Sequence, residues 1–361
     1  MSGEEEYFAK RRKSIMIAAL AVVPTVIITV YSVSVSLFNF SFAEAMDIII
    51  RHLEGRLTDD YRDYLLNSLV FEGTLPRGIG CVIVGAILGI GGAVMQYIVR
   101  NPLADPYTTG ISSGALFGAS LFFIMDISIF GFTGDLGLTL NAMLFSLVPC
   151  IIISVFAIKK KVTPTMMVLI GIATMYMFSA ASMLLKYNAD PEDLRAVYEW
   201  SLGSMYKVDW GNIPVLLGSL AVLAVFALLM SKRIDVISAG DGPAVALGIN
   251  PTRLRYVCLI VVSLCTAIAV SCCGTIGFIG LIIPHLARIL VGSRMAILIP
   301  TSAILGALLL VGADSIARVC GSSSIPVGVL TAMIGAPFFL YFLLRMRQSA
   351  WGRRYNEDRR Q

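Results

Sequence analysis

Ionisable residues within long apolar stretches are the first candidates for chemistry, because a charged side chain in lipid is costly and usually serves a function. The sequence offers Asp314, which precedes Arg318 by four residues, and His285, which follows Pro284. Asp314 could bind a coupling ion, but its spacing from Arg318 also predicts an ion pair on one helix face. His285 could bind a ligand or donate to a backbone carbonyl. The residues alone leave these alternatives open.

The motifs that other kinds of chemistry need are missing from the sequence. The two histidines, His52 and His285, lie in different regions, and the seven cysteines show no C-x-x-C spacing. No glycine is followed by lysine, so the sequence has no phosphate-binding P-loop. We therefore expect no catalytic residue, no bound cofactor and no metal site, and we expect another protein to supply energy. A stand-alone carrier using Asp314 and a membrane-embedded enzyme are the alternative hypotheses.

The composition predicts an integral membrane protein. Hydrophobic residues make up 57% of the 361 residues and charged residues only 14%, whereas soluble chains carry about a quarter charged residues. The apolar residues form blocks of about 20 residues, the length that crosses a bilayer. Nine such blocks are present: 14–44 (with Phe38 as a fair end), 78–99, 107–125, 136–158, 162–185, 210–231, 256–287, 295–313 and 319–344. We interpret the first as a retained span.

The distribution of basic residues predicts the orientation, because cytoplasmic loops carry excess lysine and arginine. With the N-terminus inside, 20 of the 28 basic residues are cytoplasmic. Both tails are basic, so the number of crossings should be even. The block 256–287 therefore divides at Gly274–Gly277 into a span ending at Cys273 and a short return from Ile279 to Val291. The sequence thus predicts an all-α, multi-pass protein with ten transmembrane helices, both termini cytoplasmic, in one domain over 1–361 (tails 1–13 and 345–361, core 14–344).

Two external segments, one pair of glycines and two proline-containing turns predict further details of the structure. Residues 40–77 should contain a short amphipathic helix, and 186–209 should lie across the outer face. Glycines four residues apart, at Gly85 and Gly89, predict close helix packing. Prolines predict turns at 100–106 and 162–165. The net charge of +5 reflects topology, and no nucleic-acid partner is expected.

The cytoplasmic loop 237–253 reads as two short helices. Asp241 can cap one helix that enters at Pro243, and Gly248 suits its left-handed end. Asn250 can cap a second helix with Pro251 at its first position. Two short helices with well-defined starts and ends could form a docking surface for another protein, or they could be an ordinary well-capped loop.

Several motifs between Leu75 and Leu344 resemble those of the FecCD-type permeases, the membrane subunits of iron-siderophore, haem and cobalamin ABC importers. The matching motifs occur in the same order and at the expected spacing: Leu75-Pro76-Arg77, Asn101-Pro102-Leu103-Ala104-Asp105-Pro106, Gly110-Ile111-Ser112-Ser113-Gly114-Ala115, Gly277-Phe278-Ile279-Gly280-Leu281-Ile282-Ile283-Pro284-His285, Pro326-Val327-Gly328 and Gly335-Ala336-Pro337.

The resemblance implies a fold and a set of partners. Helices 2–5 and 7–10 would be inverted repeats, and a homodimer would enclose the pathway between its subunits. Two ATPase subunits, which bind ATP and Mg, would lie on the cytoplasmic side, and an external substrate-binding protein would dock on the other. The chain would sit in the cell membrane and pass an iron-siderophore, haem or cobalamin-like metal chelate. Oxyanion importers share this scaffold, so the sequence does not select the cargo.

The resemblance also implies roles for individual residues. ATPase coupling would involve Asp241, Ala244, Leu247, Gly248, Asn250 and Arg253. The cytoplasmic gate would be formed by Asn101, Pro102, Leu103, Thr163, Pro164 and Thr165. Arg77 and Arg318 would receive acidic residues of the binding protein. Two residues depart from the family pattern, Thr74 where arginine is frequent and Pro164 where small hydroxyl residues are. A charge at Ala244 or Leu247 should uncouple ATP hydrolysis from transport without unfolding the protein.

Overall fold

A computed structural model describes residues 3–35, 40–57, 60–159, 163–320 and 325–358, and every regular element in these ranges is helical. The described residues form fourteen α-helices: α1 (Gly3–Ser32), α2 (Phe42–Leu53), α3 (Tyr61–Asn67), α4 (Leu75–Val99), α5 (Ile111–Met125), α6 (Gly134–Lys159), α7 (Pro164–Tyr187), α8 (Pro191–Ser201), α9 (Ile213–Ser238), α10 (Asp241–Ala246), α11 (Pro251–Cys273), α12 (Ile279–Val291), α13 (Met295–Val319) and α14 (Val327–Asp358). A π-helical turn occupies Ser68–Thr74, and a 3₁₀ turn occupies Pro106–Thr109.

Within the residues that the structure describes, seven helical segments are long and apolar enough to cross a membrane, and three shorter helices are also apolar. The long segments are Arg12–Ser32, Tyr61–Val99, Gly134–Phe156, Pro164–Tyr187, Ile213–Ser238, Pro251–Cys273 and Met295–Val319. The shorter ones are Ile111–Met125, Ile279–Val291 and Val327–Tyr341. The predicted division of block 256–287 is confirmed, since α11 ends at Cys273 and α12 spans Ile279–Val291.

Helix α4 occupies the centre of the bundle and is buried along almost its whole length. Its glycines make this possible, because a helix face without side chains lets another backbone approach closely in lipid. A Cβ atom at Gly85 would overlap the carbonyl of Gly306, and one at Gly89 would overlap the carbonyl of Ser302, both on α13. A Cβ atom at Gly92 would overlap Gly280 on α12. The close packing predicted from Gly85 and Gly89 is therefore confirmed.

Short helices outside the apolar segments define the two ends of the bundle. At one end, called the α2 end, the short helix expected within residues 40–77 is present as α2, which starts with a capping box between Ser41 and Glu44. The Trp210 indole, which follows α8, donates to the Phe71 carbonyl at the same end, with a distance of 2.9 Å. At the opposite end, called the α10 end, α10 connects α9 to α11. The Tyr97 hydroxyl donates there to the Ser293 carbonyl.

We predict that Gly89→Ala destabilises the protein, because the added methyl group has no space between α4 and α13. Overpacking of this kind costs about 1–3 kcal/mol, and thermal unfolding in detergent should show it as a lower midpoint. Gly312→Ala on α13 is the matched control. No atom lies within 4 Å of a Cβ at Gly312, so that variant should be as stable as the parent or more so. Equal midpoints for the two variants would contradict the packing role of Gly89.

Candidate functional site

Three charged side chains meet at the α2 end. Asp314 of α13 accepts from Arg77 of α4, with distances of 3.0 Å from Nε and 2.7 Å from Nη2 to Oδ1. Its Oδ2 accepts from Nε of Arg318 at 2.7 Å. Arg318 also donates from Nη1 to the Ser32 carbonyl of α1 at 2.9 Å. The three side chains therefore join α1, α4 and α13, and all three are buried, with Asp314 fully enclosed.

This cluster confirms one sequence expectation and bears on another. The ion pair between Asp314 and Arg318 on one helix face is present. Arg77 and Arg318, which the resemblance assigns to docking of a binding protein, are both buried here and pair with Asp314, and their docking role stays a prediction. Asp314 accepts from guanidinium groups through both oxygens, which leaves it poorly placed to bind a coupling cation. Two arginines and one carboxylate leave one excess positive charge.

A second cluster of charges lies at the α10 end, around Asp241. Its carboxylate pairs with Arg255 of α11, at 2.5 Å and 3.1 Å, and with Arg100 after α4, at 3.0 Å. The hydrogen bonds from Arg255 are the largest of the effects that lower the pKa of Asp241. The expectation that Asp241 caps α10 is therefore wrong. Gly240 takes the cap position, and Asp241 is the first residue of the helix, with its side chain directed to the two arginines.

The rest of this loop follows the sequence more closely. Gly248 has a left-handed φ of 73°, and Asn250 Oδ1 accepts from the Arg253 backbone amide at 3.0 Å. Pro251 is the first residue of the helix that Asn250 caps, as expected. That helix is not a separate short element, however, because it continues as α11 to Cys273.

The side chains of α10 and the following turn divide between a buried and an exposed face. Val245 is 64% exposed and Leu247 is 67% exposed. Asn250 and Arg253 are also exposed. Ala244, in contrast, is fully buried in the main hydrophobic core. A partner can therefore touch Leu247 but not Ala244, and the expectation that a charge at Ala244 leaves the fold intact is wrong.

The two turns expected to form a gate are well defined locally. Asn101 Oδ1 accepts from the Leu103 amide at 3.0 Å, and Leu103, which follows Pro102, is 40% exposed. At the other turn, Thr163 Oγ1 accepts from the Met166 amide at 3.3 Å and caps α7. Pro164 is the first residue of that helix, and Thr165 is exposed. The gating role of both turns remains a prediction.

Two neighbouring cavities lie where the apolar helices are interrupted. The first, of about 390 Å³, is lined by the segments around α5 and the start of α12 and includes the hydroxyl groups of Tyr107, Ser112, Ser113, Ser201 and Thr275. The second, of about 550 Å³, shares four of its lining residues with the first and extends to α14. Together the cavities form a region that is lined by several hydroxyl groups and by the carboxyl group of Asp105.

The backbone explains why space exists there. Helices α5 and α12 are both short, and each starts after a residue in the left-handed conformation, Gly110 with φ 90° and Phe278 with φ 69°. A left-handed conformation is unusual for a bulky residue such as phenylalanine and indicates local strain. The freed backbone groups find partners nearby, since the Ile276 amide donates to the Tyr107 hydroxyl at 3.3 Å. Sequence reasoning noted the glycines of this segment and included Phe278 in a motif, but it did not predict the left-handed backbone of Phe278.

A third polar group connects α4 to α12 and includes His285. Gln96 of α4 donates to the Leu281 carbonyl at 3.0 Å and accepts from Arg288 at 3.0 Å. Arg288 also contacts Nδ1 of His285 at 3.1 Å and lies over the ring of Tyr97. A guanidinium group only donates, so this ring nitrogen is the acceptor. The side chain of His285 is thus part of a buried polar contact between helices, and the part of the chain that the structure describes holds no group of three or more metal-ligating residues.

Comparisons with known proteins agree on one family. The FecCD transport family model matches residues 24–345. A Methanocaldococcus jannaschii protein assigned as an ABC transporter permease is 34% identical over 95% of this chain and 98% of its own length. The iron(3+)-hydroxamate import permease FhuG of Bacillus subtilis is 32% identical over 90% of this chain and 96% of its own length. A solved inward-facing structure, assigned to a metal-chelate type ABC transporter, has a TM-score of 0.78 and 30% identity and covers 91% of this chain and 99% of its own.

We predict that Asp314→Asn destabilises the protein strongly, because it leaves two buried guanidinium groups without a counter-charge. Removing one partner of a buried ion pair costs about 3–5 kcal/mol, which thermal unfolding in detergent would detect. Glu199→Gln is the control, since its pair with Arg195 is 63–81% exposed and should contribute little. A different result would support an ion-coupling role for Asp314. In that case the Asp314→Asn variant would be as stable as the parent, the parent chain alone would move solute in liposomes, and the variant would not.

Proposed function

Because the chain belongs to the FecCD transport family, we propose that it is the membrane-spanning translocation subunit of an ABC importer that brings a metal chelate into the cytoplasm. The cargo class rests on a relative named for iron(3+)-hydroxamate import and on a structural neighbour of metal-chelate type. Iron-siderophore, haem and cobalamin-like chelates all belong to this class. The chain itself carries no covalent chemistry in this proposal.

In the proposed membrane arrangement, the seven long segments and three shorter helices make ten crossings. The excess of basic residues on one side supports cytoplasmic termini, and the chain would lie in the cell membrane. Helix α12 has 13 residues and is about 20 Å long, too short to cross a bilayer alone. Its burial against α4 and α13 supplies the protein environment that such a short crossing needs.

The observation that carries the proposal is the meeting of two interrupted helices at one cavity. Short or broken helices at corresponding positions in two halves of a transporter indicate the substrate pathway. Helices α5 and α12 would be the third and eighth of the ten crossings, which are corresponding positions in repeats of helices 2–5 and 7–10. Residues of both helices line the first cavity, including Ser112 and Leu281. In a homodimer, two copies of this region would face one central passage.

The exposed surface of α10 and its following turn fits a partner ATPase on the cytoplasmic side. Val245 and Leu247 present apolar side chains to solvent, and apolar groups in such a position favour a protein contact. In this proposal that subunit binds ATP and Mg and hydrolyses the nucleotide. A substrate-binding protein would dock at the α2 end, where Arg77 and Arg318 are buried in the conformation described here.

Purification of the tagged protein in mild detergent from its native host tests the proposal. We expect an ATPase subunit in equimolar amount, and we expect chelate uptake by the reconstituted complex to need ATP and a binding protein. A control preparation carries the tag on an unrelated membrane protein. A homogeneous preparation without any ATPase that still moves solute in liposomes would overturn the proposal.

We predict that Leu247→Glu prevents retention of the ATPase during this purification, because it places a charge in an exposed apolar contact. Tyr206→Glu is the control, since Tyr206 is 78% exposed but lies after α8, at the opposite end of the bundle. Its ATPase retention should be normal. Ala244→Glu should instead lower the yield of folded protein, because that side chain is fully buried. Normal ATPase retention by folded Leu247→Glu would exclude this docking surface.

A further inference from the structure

The charges around Asp241 connect three elements that are separate in the sequence. Asp241 is the first residue of α10, Arg255 lies in α11, and Arg100 directly follows α4. The carboxylate accepts from both terminal nitrogens of Arg255 and pairs with Nη2 of Arg100 at 3.0 Å. One carboxylate thus pairs with two arginines, one within α11 and one directly after α4.

Arg255 connects α10 directly to α4. Its side chain is buried, with 3% exposed, and its Nε donates to the Ile98 carbonyl in the last turn of α4 at 2.8 Å. Its two terminal nitrogens contact the two oxygens of Asp241. A bidentate pair between a guanidinium and a carboxylate fixes orientation as well as distance. One side chain, Arg255, therefore joins Asp241 to the end of α4.

Arg100 adds a second connection to the same place. It ends α4 in the left-handed conformation, with φ 53°, and its side chain returns to Asp241. The turn Asn101–Leu103 begins at the next residue. The backbone of Arg100 thus sets the direction of this turn, and the side chain of the same residue pairs with Asp241.

We propose that the cluster of Arg100, Asp241 and Arg255 transmits the movement of α10 to the end of α4 and to the turn Asn101–Leu103. The inference rests on the proposed function, in which an ATPase contacts α10, and it assigns positioning roles to Arg100 and Asp241. Movement of α10 by the ATPase would pull on the two arginines through Asp241. The exposed face with Leu247 receives the partner, and Asp241 passes the movement into the bundle.

The exposure of each of the three side chains indicates whether its substitution would destabilise the fold or remove only a contact within the cluster. The side chain of Arg100 is 35% exposed and that of Asp241 is 47% exposed, so their pair adds little to stability. Arg255 is buried, and its loss would disturb the fold. Arg100→Gln is consequently the informative variant, because the protein should fold normally while one connection is lost.

The experiment uses the complete complex of this chain, its ATPase and its binding protein in liposomes, and measures chelate moved per ATP hydrolysed. For Arg100→Gln and Asp241→Asn we expect this ratio to fall about fivefold or more, a typical size for coupling between sites. ATPase retention and thermal midpoint should be unchanged for Arg100→Gln. The double variant should lose little more than Asp241→Asn alone, because that substitution already weakens the connection that Arg100→Gln removes. Lys13→Gln is the control, because Lys13 is an exposed basic residue of α1, outside the cluster and outside the loop 237–253, and this variant should keep the parent ratio.

Each other result has a definite meaning. Complexes of folded Arg100→Gln and Asp241→Asn could move as much chelate per ATP hydrolysed as the parent complex. That result would overturn the proposed transmission through the cluster while leaving the importer function intact. Loss of ATPase retention in Arg100→Gln would also overturn it, because the cluster would then be part of the docking surface. Failure of the parent chain to bind any ATPase would instead refute the proposed function itself.

Discussion

The fold depends on one helix that is enclosed on nearly all sides. Lipid gives helices little hydrophobic reason to associate, so contact between them must come from close packing and from polar groups. Helix α4 supplies the packing through Gly85, Gly89 and Gly92, which bring its backbone against α13 and α12. A side chain larger than hydrogen at these positions would separate the helices. The bundle is therefore organised around a helix whose central face is mostly backbone.

Charges at the two ends of α4 anchor it to the rest of the bundle. Arg77 at its start pairs with Asp314, and the Ile98 carbonyl at its other end accepts from Arg255. Buried charges are tolerated only when they are paired and hydrogen-bonded, as these are. Both anchors tie α4 to helices distant in the sequence. The same central helix thus connects the end where α2 lies with the end that carries α10.

The cavities follow from a different constraint. Backbone groups without helical partners are costly at membrane depth unless protein or water satisfies them. The segments before α5 and α12 break the helical pattern, and side chains such as Tyr107 and Thr275 supply hydrogen bonds in their place. The Thr275 hydroxyl donates to the Ser201 carbonyl at 2.5 Å. Irregular backbone therefore occurs next to hydroxyl-lined space, where side chains can satisfy its polar groups.

The sequence by itself determined the features that depend on neighbouring residues. Apolar block lengths located the helices, Gly274–Gly277 located the break after α11, and Asn250 located a helix start, because spans, breaks and caps arise from local backbone chemistry. Only the tertiary structure decided which charges meet. Arg77 and Asp314 are 237 residues apart, and Asp241, which the sequence placed at a helix cap, instead pairs with Arg100 and Arg255. No local pattern encodes such pairs, since they exist only once distant helices pack together.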